Sequence, residues 1–139
     1  MRALIQRVSR ASVSVDGRVI SSIGPGLLVL LGVTSTDGDA QADWLADKVR
    51  SLRVFADSDG RMNEPLGERE VLCVSQFTLY GSARRGNRPS YKAAAPPEVA
   101  KPLYERFCER LDARRGVFGA RMAVELVNDG PVTLLVESR

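Results

Sequence analysis

The chain has 139 residues, of which 44% are hydrophobic and 27% charged, a composition that argues against disordered, collagen-like and disulfide-framework proteins. Its 20 basic and 17 acidic residues give a net charge of +3, which by itself does not indicate nucleic-acid binding. The absence of histidine excludes Ser-His-Asp and Cys-His hydrolases, because both use an imidazole as their base.

Length and local composition predict a single domain over residues 1–139, located in the cytosol. The first seven residues are too polar for a signal segment, and the longest apolar run, residues 27–31, is too short to span a membrane. Cys73 and Cys108 are predicted to be reduced core cysteines. The acidic residues are scattered, so neither a metal site nor a cofactor is expected.

The first part of the chain predicts three strands and a helix. Residues 11–15 and 18–23 form a hairpin around Asp16-Gly17, and the apolar run 27–33 is typical of a central strand covered on both faces. Thr36 or Asp37 caps a helix that follows. Its apolar residues recur at helical spacing and give it one face that packs on the sheet: Ala42, Leu45, Ala46, Val49 and Leu52.

The second part predicts further strands around a second helix. Residues 53–56 form a short strand, and residues 70–79 form a longer one that changes from apolar to polar at Ser75. The second helix covers residues 97–114, where Pro102 either kinks the helix or moves its start later. Strands 121–127 and 132–136 are connected by Asn128-Asp129-Gly130-Pro131. This order predicts an α+β fold, a single compact domain of mixed and antiparallel sheet with two helices packed on one side.

The polar end of strand 70–79 is the first candidate site. It could present backbone N–H groups to a substrate through the segment Ser75, Gln76, Phe77 and Thr78. Simple strand alternation offers another interpretation, in which Phe77 faces the core while Gln76 and Thr78 face water. The pattern alone favours this ordinary interpretation.

Three other segments carry further candidates. A flat slot for a base, or ordinary core packing, is indicated by Phe118, Gly119 and Met122. Gly130-Pro131 fits a tight turn better than a cis bond on pattern alone. A basic segment within residues 84–92, suited to a phosphate backbone or to a solvated surface, contains Arg84, Arg85, Arg88 and Lys92.

Five motifs form a set along the chain: Met1-Arg2-Ala3-Leu4-Ile5-Gln6-Arg7-Val8, Gly24-Pro25-Gly26-Leu27-Leu28-Val29, Ser75-Gln76-Phe77-Thr78-Leu79, Arg88-Pro89-Ser90 and Asn128-Asp129-Gly130-Pro131-Val132-Thr133. Through them the chain resembles the D-aminoacyl-tRNA deacylase family, also called D-Tyr-tRNA deacylases, along nearly its full length. Two stretches, 63–71 and 111–118, are shorter than the usual pattern of that family. Both avoid the motifs, so they concern the pocket rim and the tRNA surface.

The resemblance implies hydrolysis of the ester between a D-amino acid and the terminal ribose of tRNA, at a homodimer interface. Backbone N–H groups around Phe77 and Thr78, in the motif that begins with Ser75 and Gln76, would hold the reacting carbonyl. The ribose 2′-OH of the substrate would help to activate the water, which suits a chain without histidine. A rival assignment makes Thr78 a covalent nucleophile, but it has neither a histidine nor its own N-terminal amine to deprotonate it.

The resemblance also implies how D- and L-amino acids are distinguished. Gly130 and a cis Pro131 would reach into the partner's site as a backbone wall that excludes L-side chains, and Arg7 would fix their orientation. A wall of this kind does not exclude glycine, which has no side chain. Some activity on glycyl-tRNA is therefore expected.

Contacts with the RNA follow from the same resemblance. The terminal adenine would lie in a slot lined by Phe118, Gly119 and Met122. The acceptor stem would contact the basic segment 84–92 without readout of bases. Two other functions remain open: a non-catalytic tRNA-binding domain, which would bind without turnover, and a structural dimer with no nucleic-acid partner.

Overall fold

The computed structural model describes residues 1–138, and its sheet is built around one long strand, β1 (Arg2–Val15). Along one edge β1 pairs antiparallel with β2 (Arg18–Ile23) and with β3 (Gly26–Gly32). Along its other edge it pairs antiparallel with β8 (Ala123–Glu137) over almost its whole length. The predicted hairpin is present, and its first strand, predicted over residues 11–15, is the end of the longer strand β1.

The sheet continues from β3 through two strands that run parallel to it. β6 (Glu70–Ser75) pairs with β3, and the short β7 (Arg114–Arg115) pairs with β6. Parallel neighbours need a crossover connection, and the segment between β3 and β6 supplies it. That segment contains the first helix and a separate two-stranded sheet of β4 (Phe55–Ala56) and β5 (Met62–Glu64).

The central strands β3 and β6 are buried on both faces. In β3, Leu27 and Leu31 belong to one hydrophobic core, whereas Leu28 belongs to a second core on the opposite face. In β6, Cys73 faces the first core and Leu72 the second. The predicted central strand is thus confirmed.

Both helices lie against the first core. α1 (Asp39–Ser51) contributes buried Ala42, Leu45, Ala46 and Val49, and α2 (Pro97–Leu111) contributes six buried residues that include Leu103 and Phe107. The two helices therefore share one side of the sheet. The predicted α+β fold, with a mixed sheet and two helices on one side, is confirmed.

Two bidentate ion pairs join the helices on their solvent side. Arg106 donates from two nitrogens to the carboxylate of Asp43, at 2.8 Å each. Arg110 donates in the same way to Asp47, at 2.7 and 2.9 Å. These side-chain hydrogen bonds lower the pKa of both carboxyl groups below the ordinary value.

The predicted cap of α1 is wrong. The helix follows Gly38, whose N–H donates to Oε1 of Gln41 at 2.8 Å. The carboxylate of Asp37 accepts a hydrogen bond from the N–H of Thr34 at 2.8 Å and so does not cap the helix. Thr36 lies outside the helix and does not cap it either.

The predicted start of α2 at Pro97 is correct, and Pro102 lies inside the helix rather than at its beginning. The predicted end at residue 114 is wrong. The helix stops at Leu111, and Asp112 follows with a left-handed φ of 51°. Residues 114 and 115 then extend beside β6 as β7.

Two predicted strands differ from those observed. The short strand 53–56 covers only Phe55–Ala56. The strand predicted over 70–79 ends at Ser75, and Phe77–Tyr80 forms a single 3₁₀ turn instead. The abrupt change from strand to turn exposes the backbone at the end of a buried strand.

The last two predicted strands are one continuous strand, β8, and the predicted connection lies inside it. Thr133 pairs with Gln6 and Asn128 pairs with Val8, so five steps along β8 match two steps along β1. The extra residues of β8 must leave the regular ladder at this point. The segment Asp129–Val132 therefore forms a protrusion on the strand.

Candidate active site

A cavity of about 600 Å³ opens where β6 ends. One part of its lining comes from the end of that strand: Ser75, Gln76 and Phe77. Another part comes from the segment before β8: Phe118, Gly119 and Met122. The loop 81–96 contributes Tyr91, Ala94 and Ala95 to the lining. The structure thus brings together two predicted segments that are distant in sequence.

The 3₁₀ turn after β6 offers two free hydrogen-bond donors. The N–H of Gln76 still donates to the carbonyl of Leu31 at 2.7 Å, and the N–H of Leu79 donates to the carbonyl of Gln76 at 3.2 Å. Between them, the N–H groups of Phe77 and Thr78 donate to no acceptor within residues 1–138. The interpretation that placed Phe77 in the core is wrong, because its side chain is 55% exposed.

The side chain of Thr78 has a partner that cannot act as a base. Its hydroxyl oxygen accepts a hydrogen bond from Nε2 of Gln76, and a primary amide does not take up a proton near neutral pH. Thr78 itself is not part of the cavity lining. Among the described residues that line the cavity, none is Asp, Glu, Lys or Arg. The site therefore offers hydrogen-bond donors and shape, without a charged group.

Arg2 fixes the far end of the 3₁₀ turn. Its Nη1 donates to the carbonyl of Leu79 at 2.8 Å, and its guanidinium lies 4.4 Å from the centre of the Tyr80 ring. Glu137 on β8 pairs with Nε of the same arginine at 3.0 Å. Burial raises the pKa of Tyr80 to about 12, so its hydroxyl stays protonated in the physiological range. Sequence reasoning missed this anchor because Arg2 and Leu79 are far apart in the chain.

The loop 81–96 is held against the site at several points. Ser82 and Ser90 exchange two backbone hydrogen bonds of 2.8 Å, which close the basic segment into a loop. The Tyr91 ring meets the Phe77 ring edge to face, with centroids 5.2 Å apart. Farther along, the Thr34 hydroxyl donates to the carbonyl of Ala93 at 2.5 Å. Tyr91 and Thr34 were not predicted as site residues.

The predicted basic residues stand on this loop beside the cavity, outside its lining. All four are exposed: Arg84, Arg85, Arg88 and Lys92. Within the part of the chain that the structure describes, none of them lies in an ion pair with a carboxylate. Their charges are therefore available to a partner.

The segment around Phe118 packs on a buried tyrosine. The rings of Phe118 and Tyr104 lie 5.9 Å apart, and the Tyr104 hydroxyl donates to the carbonyl of Cys73 at 2.8 Å. Burial raises the pKa of Tyr104 and of the Cys73 thiol. Cys73 and Cys108 are free and buried, as predicted. Phe118 therefore packs against a buried layer that contains Tyr104 and Cys73.

Arg7 contacts the protrusion on β8. Its Nε donates to the carbonyl of Asp129 at 2.9 Å, and its Nη1 donates to the carbonyl of Val54 at 2.6 Å. The Gly130–Pro131 peptide bond is cis, in agreement with the prediction, and both residues are exposed. Neither belongs to the cavity lining of the same chain. Their side of β8 is thus free to meet another molecule.

The family of the chain follows from comparison with known proteins. The family model described as D-Tyr-tRNA(Tyr) deacylase matches residues 4–137. The chain belongs to this family. Two curated relatives, both called D-aminoacyl-tRNA deacylase, come from Symbiobacterium thermophilum and Roseiflexus castenholzii. Each is 57% identical over 145 residues and matches 99% of this chain, covering 96% and 92% of the relative. Deacylases are hydrolases, so the chain is an enzyme of that class.

Two solved structures share the fold. One is called c-Myc DNA Unwinding Element Binding Protein; it is 42% identical, covers 100% of this chain and 99% of its own, and has a TM-score of 0.94. The other is described as a probable eukaryotic D-amino acid tRNA deacylase; it is 17% identical, covers 98% of both chains and has a TM-score of 0.84. At that identity the second likeness supports the fold alone.

The two stretches that were predicted to be shorter than the usual family pattern lie side by side. Residues from 63–71 and from 111–118 line one groove of about 380 Å³, where Arg114 pairs with Glu70 at 3.0 Å. The groove shares no lining residue with the cavity at the end of β6. The alignments with the two curated relatives span 145 positions, more than the 139 residues of this deacylase. The relatives therefore contain residues that this chain lacks.

The described residues contain neither a metal-binding cluster nor a membrane-spanning helix. Over residues 1–138, His, Cys, Asp and Glu do not form any group of three or more that could hold a metal ion. Over the same residues, no helix is both long and apolar enough to cross a membrane.

Proposed function

We propose that the chain hydrolyses the ester of D-aminoacyl-tRNA, releases the free D-amino acid and tRNA, and spares L-aminoacyl-tRNA. The observation that carries the proposal is the pair of free N–H groups on Phe77 and Thr78 beside the cavity. The names of the curated relatives support this substrate, because each is called a D-aminoacyl-tRNA deacylase. The proposed role is the editing of mischarged tRNA.

Catalysis in this proposal rests on positioning. The two N–H groups hold the carbonyl oxygen of the ester and stabilise the negative charge that develops when water attacks the carbonyl carbon. The ribose 2′-OH of the substrate takes a proton from the attacking water as it passes its own proton to the 3′-oxygen. The ester bond then breaks to give the free amino acid and the 3′-OH of tRNA, and the 2′-OH is restored. Donors of this type contribute about 10²- to 10³-fold each in other hydrolases. The uncharged lining of the cavity supports a mechanism without a protein base.

Thr78 serves as a backbone donor in this proposal, and its side chain is not the nucleophile. The amide of Gln76, which contacts the Thr78 hydroxyl, is unable to deprotonate it. Ser75 and Gln76 shape the wall beside the reacting carbonyl. A Thr78→Ala variant keeps the backbone N–H, so we expect it to retain hydrolysis within about tenfold. A loss of several thousandfold would favour the covalent mechanism instead.

The terminal adenine of tRNA is proposed to bind beside Phe118, Gly119 and Met122. These residues line the same cavity as the end of β6, which supports the assignment. The left-handed φ of 77° at Gly119 and the absence of any atom within 4 Å of its hypothetical Cβ leave open space at this point. An aromatic ring, a glycine and a thioether together suit a flat base.

Selection against L-amino acids is proposed to come from Gly130 and Pro131 of a partner subunit. Both residues are exposed on the β8 protrusion, and Arg7 ties that protrusion to β1 and to the carbonyl of Val54. A backbone wall acts on every L-side chain in the same way, since it does not depend on what the side chain is. Glycine has no side chain, so we expect some release from glycyl-tRNA as well.

A homodimer along β8 would bring this wall into the partner's site. Within residues 1–138, the second edge of β8 pairs with no strand. Three apolar residues of β8 are exposed by 38% to 55%: Val127, Leu134 and Leu135. A Leu135→Glu variant is expected to dissociate the dimer and lose activity, whereas Val19→Glu on β2 should not. Full D-selective activity in a monomeric Leu135→Glu protein would contradict this arrangement.

The acceptor stem is proposed to contact the basic loop through Arg84, Arg85, Arg88 and Lys92. The exposure of these four residues and their lack of ion pairs within residues 1–138 support the contact. Each phosphate contact should make tRNA affinity fall with salt. The alternative function, a tRNA-binding domain without turnover, predicts the same salt dependence. Only hydrolysis separates the two.

The test uses D-tyrosyl-tRNA ending in adenosine and the same tRNA ending in 2′-deoxyadenosine. We expect release of D-tyrosine from the first and a release slower by orders of magnitude from the second, because the 2′-OH is absent. Equal release from both would contradict substrate-assisted catalysis. Binding of both without release would favour the non-catalytic alternative.

A further inference from the structure

Two exposed aromatic side chains, Phe77 and Tyr91, pack against each other in the lining of the cavity. Phe77 is 55% exposed and Tyr91 is 41% exposed, and their ring planes meet at 74° with centroids 5.2 Å apart. In an edge-to-face pair, the ring that presents its edge has both faces uncovered by its partner. The pair therefore offers a flat apolar surface that another planar group could cover.

The Tyr91 ring is held in place from below by backbone. A Cβ on Gly81 would lie 2.8 Å from Cε1 of Tyr91 and 3.0 Å from the carbonyl of Thr78, so only glycine permits this close approach. The Ser82–Ser90 pairing precedes Tyr91 directly and restricts the loop on that side. The ring is thus preorganised, which lowers the entropic cost of binding on it.

Two exposed cations lie close to Tyr91 in the sequence. Lys92 follows Tyr91 in the chain and Arg88 lies three positions before it, both exposed and neither in an ion pair with a carboxylate of residues 1–138. Open aromatic faces next to unpaired cations are the combination that proteins use for single-stranded nucleic acid, with bases on the rings and phosphates on the cations. Lipid or acidic peptide would not use the flat ring faces in this way.

We propose that Tyr91, together with the Phe77 ring, is a stacking subsite for the nucleobase that precedes the terminal adenosine of the tRNA. This inference rests on the proposed function, which puts the ester at the N–H groups of Phe77 and Thr78 and the adenine beside Phe118. Tyr91 lines the cavity and lies on the same loop as the basic residues, so it connects the proposed reaction site with the proposed RNA contact. Tyr91 thereby links the reaction site to the RNA contact and acts as a binding residue for the 3′ strand.

Three D-tyrosyl esters test the subsite: those of adenosine, of the dinucleotide cytidylyl-adenosine, and of the same dinucleotide with an abasic first residue. The abasic ester keeps the phosphate and removes only the base. Base stacking on an aromatic ring contributes about 5- to 150-fold in affinity. We expect the base to raise kcat/KM of the wild-type protein by about fivefold or more over the abasic ester.

Two variants assign that gain to the ring. In Tyr91→Ala the dinucleotide and the abasic ester should be cleaved with equal kcat/KM, whereas Tyr91→Phe should keep the wild-type ratio. Each ratio compares two esters on one protein, so the folded fraction cancels. A base gain that survives in Tyr91→Ala overturns the proposal. An equal loss on all three esters in that variant also overturns it, because Tyr91 would then contact the aminoacyl end.

Failure of the proposed function gives a different result, since none of the three esters would be cleaved. Affinity for the unacylated dinucleotide and its abasic form then decides the inference by itself. Tighter binding of the dinucleotide, lost in Tyr91→Ala and kept in Tyr91→Phe, would support the subsite. Equal binding of the two forms by the wild-type protein would refute it.

Discussion

Arg7 connects three parts of the chain, and its removal should weaken both the fold and the selection of D-amino acids. Its side chain is 15% exposed and donates to the carbonyls of Val54 and Asp129 at 2.6 and 2.9 Å. Arg7→Ala leaves the carbonyl of the buried Val54 without this donor, whereas water can reach the exposed Asp129. A hydrogen bond to a charged donor contributes about 1.5–3 kcal/mol.

The hydrogen bond to Val54 contributes most of the effect, and the exposed hydrogen bond to Asp129 contributes a smaller part. Together their loss should lower the free energy of unfolding by about 2–3 kcal/mol. For a chain of this length, that loss corresponds to a fall in Tm of about 6–12 °C. Arg10→Ala is the matched control, because Arg10 lies on the same strand but is 63% exposed and only pairs with Glu125 at 3.5 Å. An exposed pair of this kind contributes at most about 1 kcal/mol.

Urea unfolding and release of tyrosine from D- and L-tyrosyl-tRNA are measured on both variants. Arg7→Ala should be less stable and should discriminate less between the two substrates, because the β8 protrusion loses its tether. Arg7→Lys should recover only part of both, since an ammonium lacks the fork that reaches two carbonyls. If Arg7→Ala and Arg10→Ala have the same stability and the same selectivity, the reasoning is refuted.

Three other outcomes follow from the structure. Gly26→Ala should prevent folding, because the new Cβ would lie 1.8 Å from a β6 carbonyl oxygen. Gly24→Ala is the control and should fold normally, because the nearest atom to its new Cβ is 3.9 Å away. Circular dichroism distinguishes the two variants. Hydrogen bonds from Arg106 and Arg110 lower the pKa of the carboxyl groups of Asp43 and Asp47. The ion pairs therefore stabilise the folded protein fully above about pH 3.9, the pKa in the unfolded chain. This stabilisation is lost as the pH falls through the lowered pKa of the folded state. The urea midpoint of an Arg106→Ala, Arg110→Ala protein should therefore fall less between pH 5 and pH 3. A chelator should leave cleavage of the D-tyrosyl ester of adenosine unchanged, and a loss that added divalent metal restores would contradict this.

The buried strands could be predicted because their pattern depends on local sequence. Residues 27–31 and 71–74 are apolar without interruption, and both runs lie in strands that are covered on two faces. The end of β6 was predicted too late, since Phe77 and Leu79 continue an alternation that fits a strand. The turn there depends on tertiary contacts. Arg2 donates to the carbonyl of Leu79, and Leu79 packs so closely on Gly32 that a Cβ on this glycine would lie 3.1 Å from Cβ of Leu79.

For β8 the prediction failed in the opposite way, because it divided one long strand into two. Asn128-Asp129-Gly130-Pro131 has the composition of a turn, so one strand was predicted before it and another after it. Both flanks in fact pair with β1 in the same direction, and the extra residues bulge out of one strand. Local composition registers the interruption, but only the pairing partner decides whether the chain reverses.

The sequence indicated the segments that form the site, but it did not indicate the residues that hold those segments in place. The end of β6 and the segment at Phe118 meet in one cavity, as the family resemblance led us to expect. Tyr91, Arg2 and Thr34 hold the surrounding loop and turn, yet each acts through a contact with a distant part of the chain. Contacts of this kind leave no periodic or compositional signal, so the sequence of a single protein does not reveal them.

The most direct test of the account is the release of D-tyrosine and L-tyrosine from matched tyrosyl-tRNAs by the wild-type protein. The tRNA, the ester and the side chain are identical, so only the configuration at the α-carbon differs. We predict rapid release of D-tyrosine and no release of L-tyrosine above the rate of spontaneous hydrolysis. Equal release of both would contradict the backbone wall at Gly130 and Pro131, and release of neither would contradict the proposed reaction.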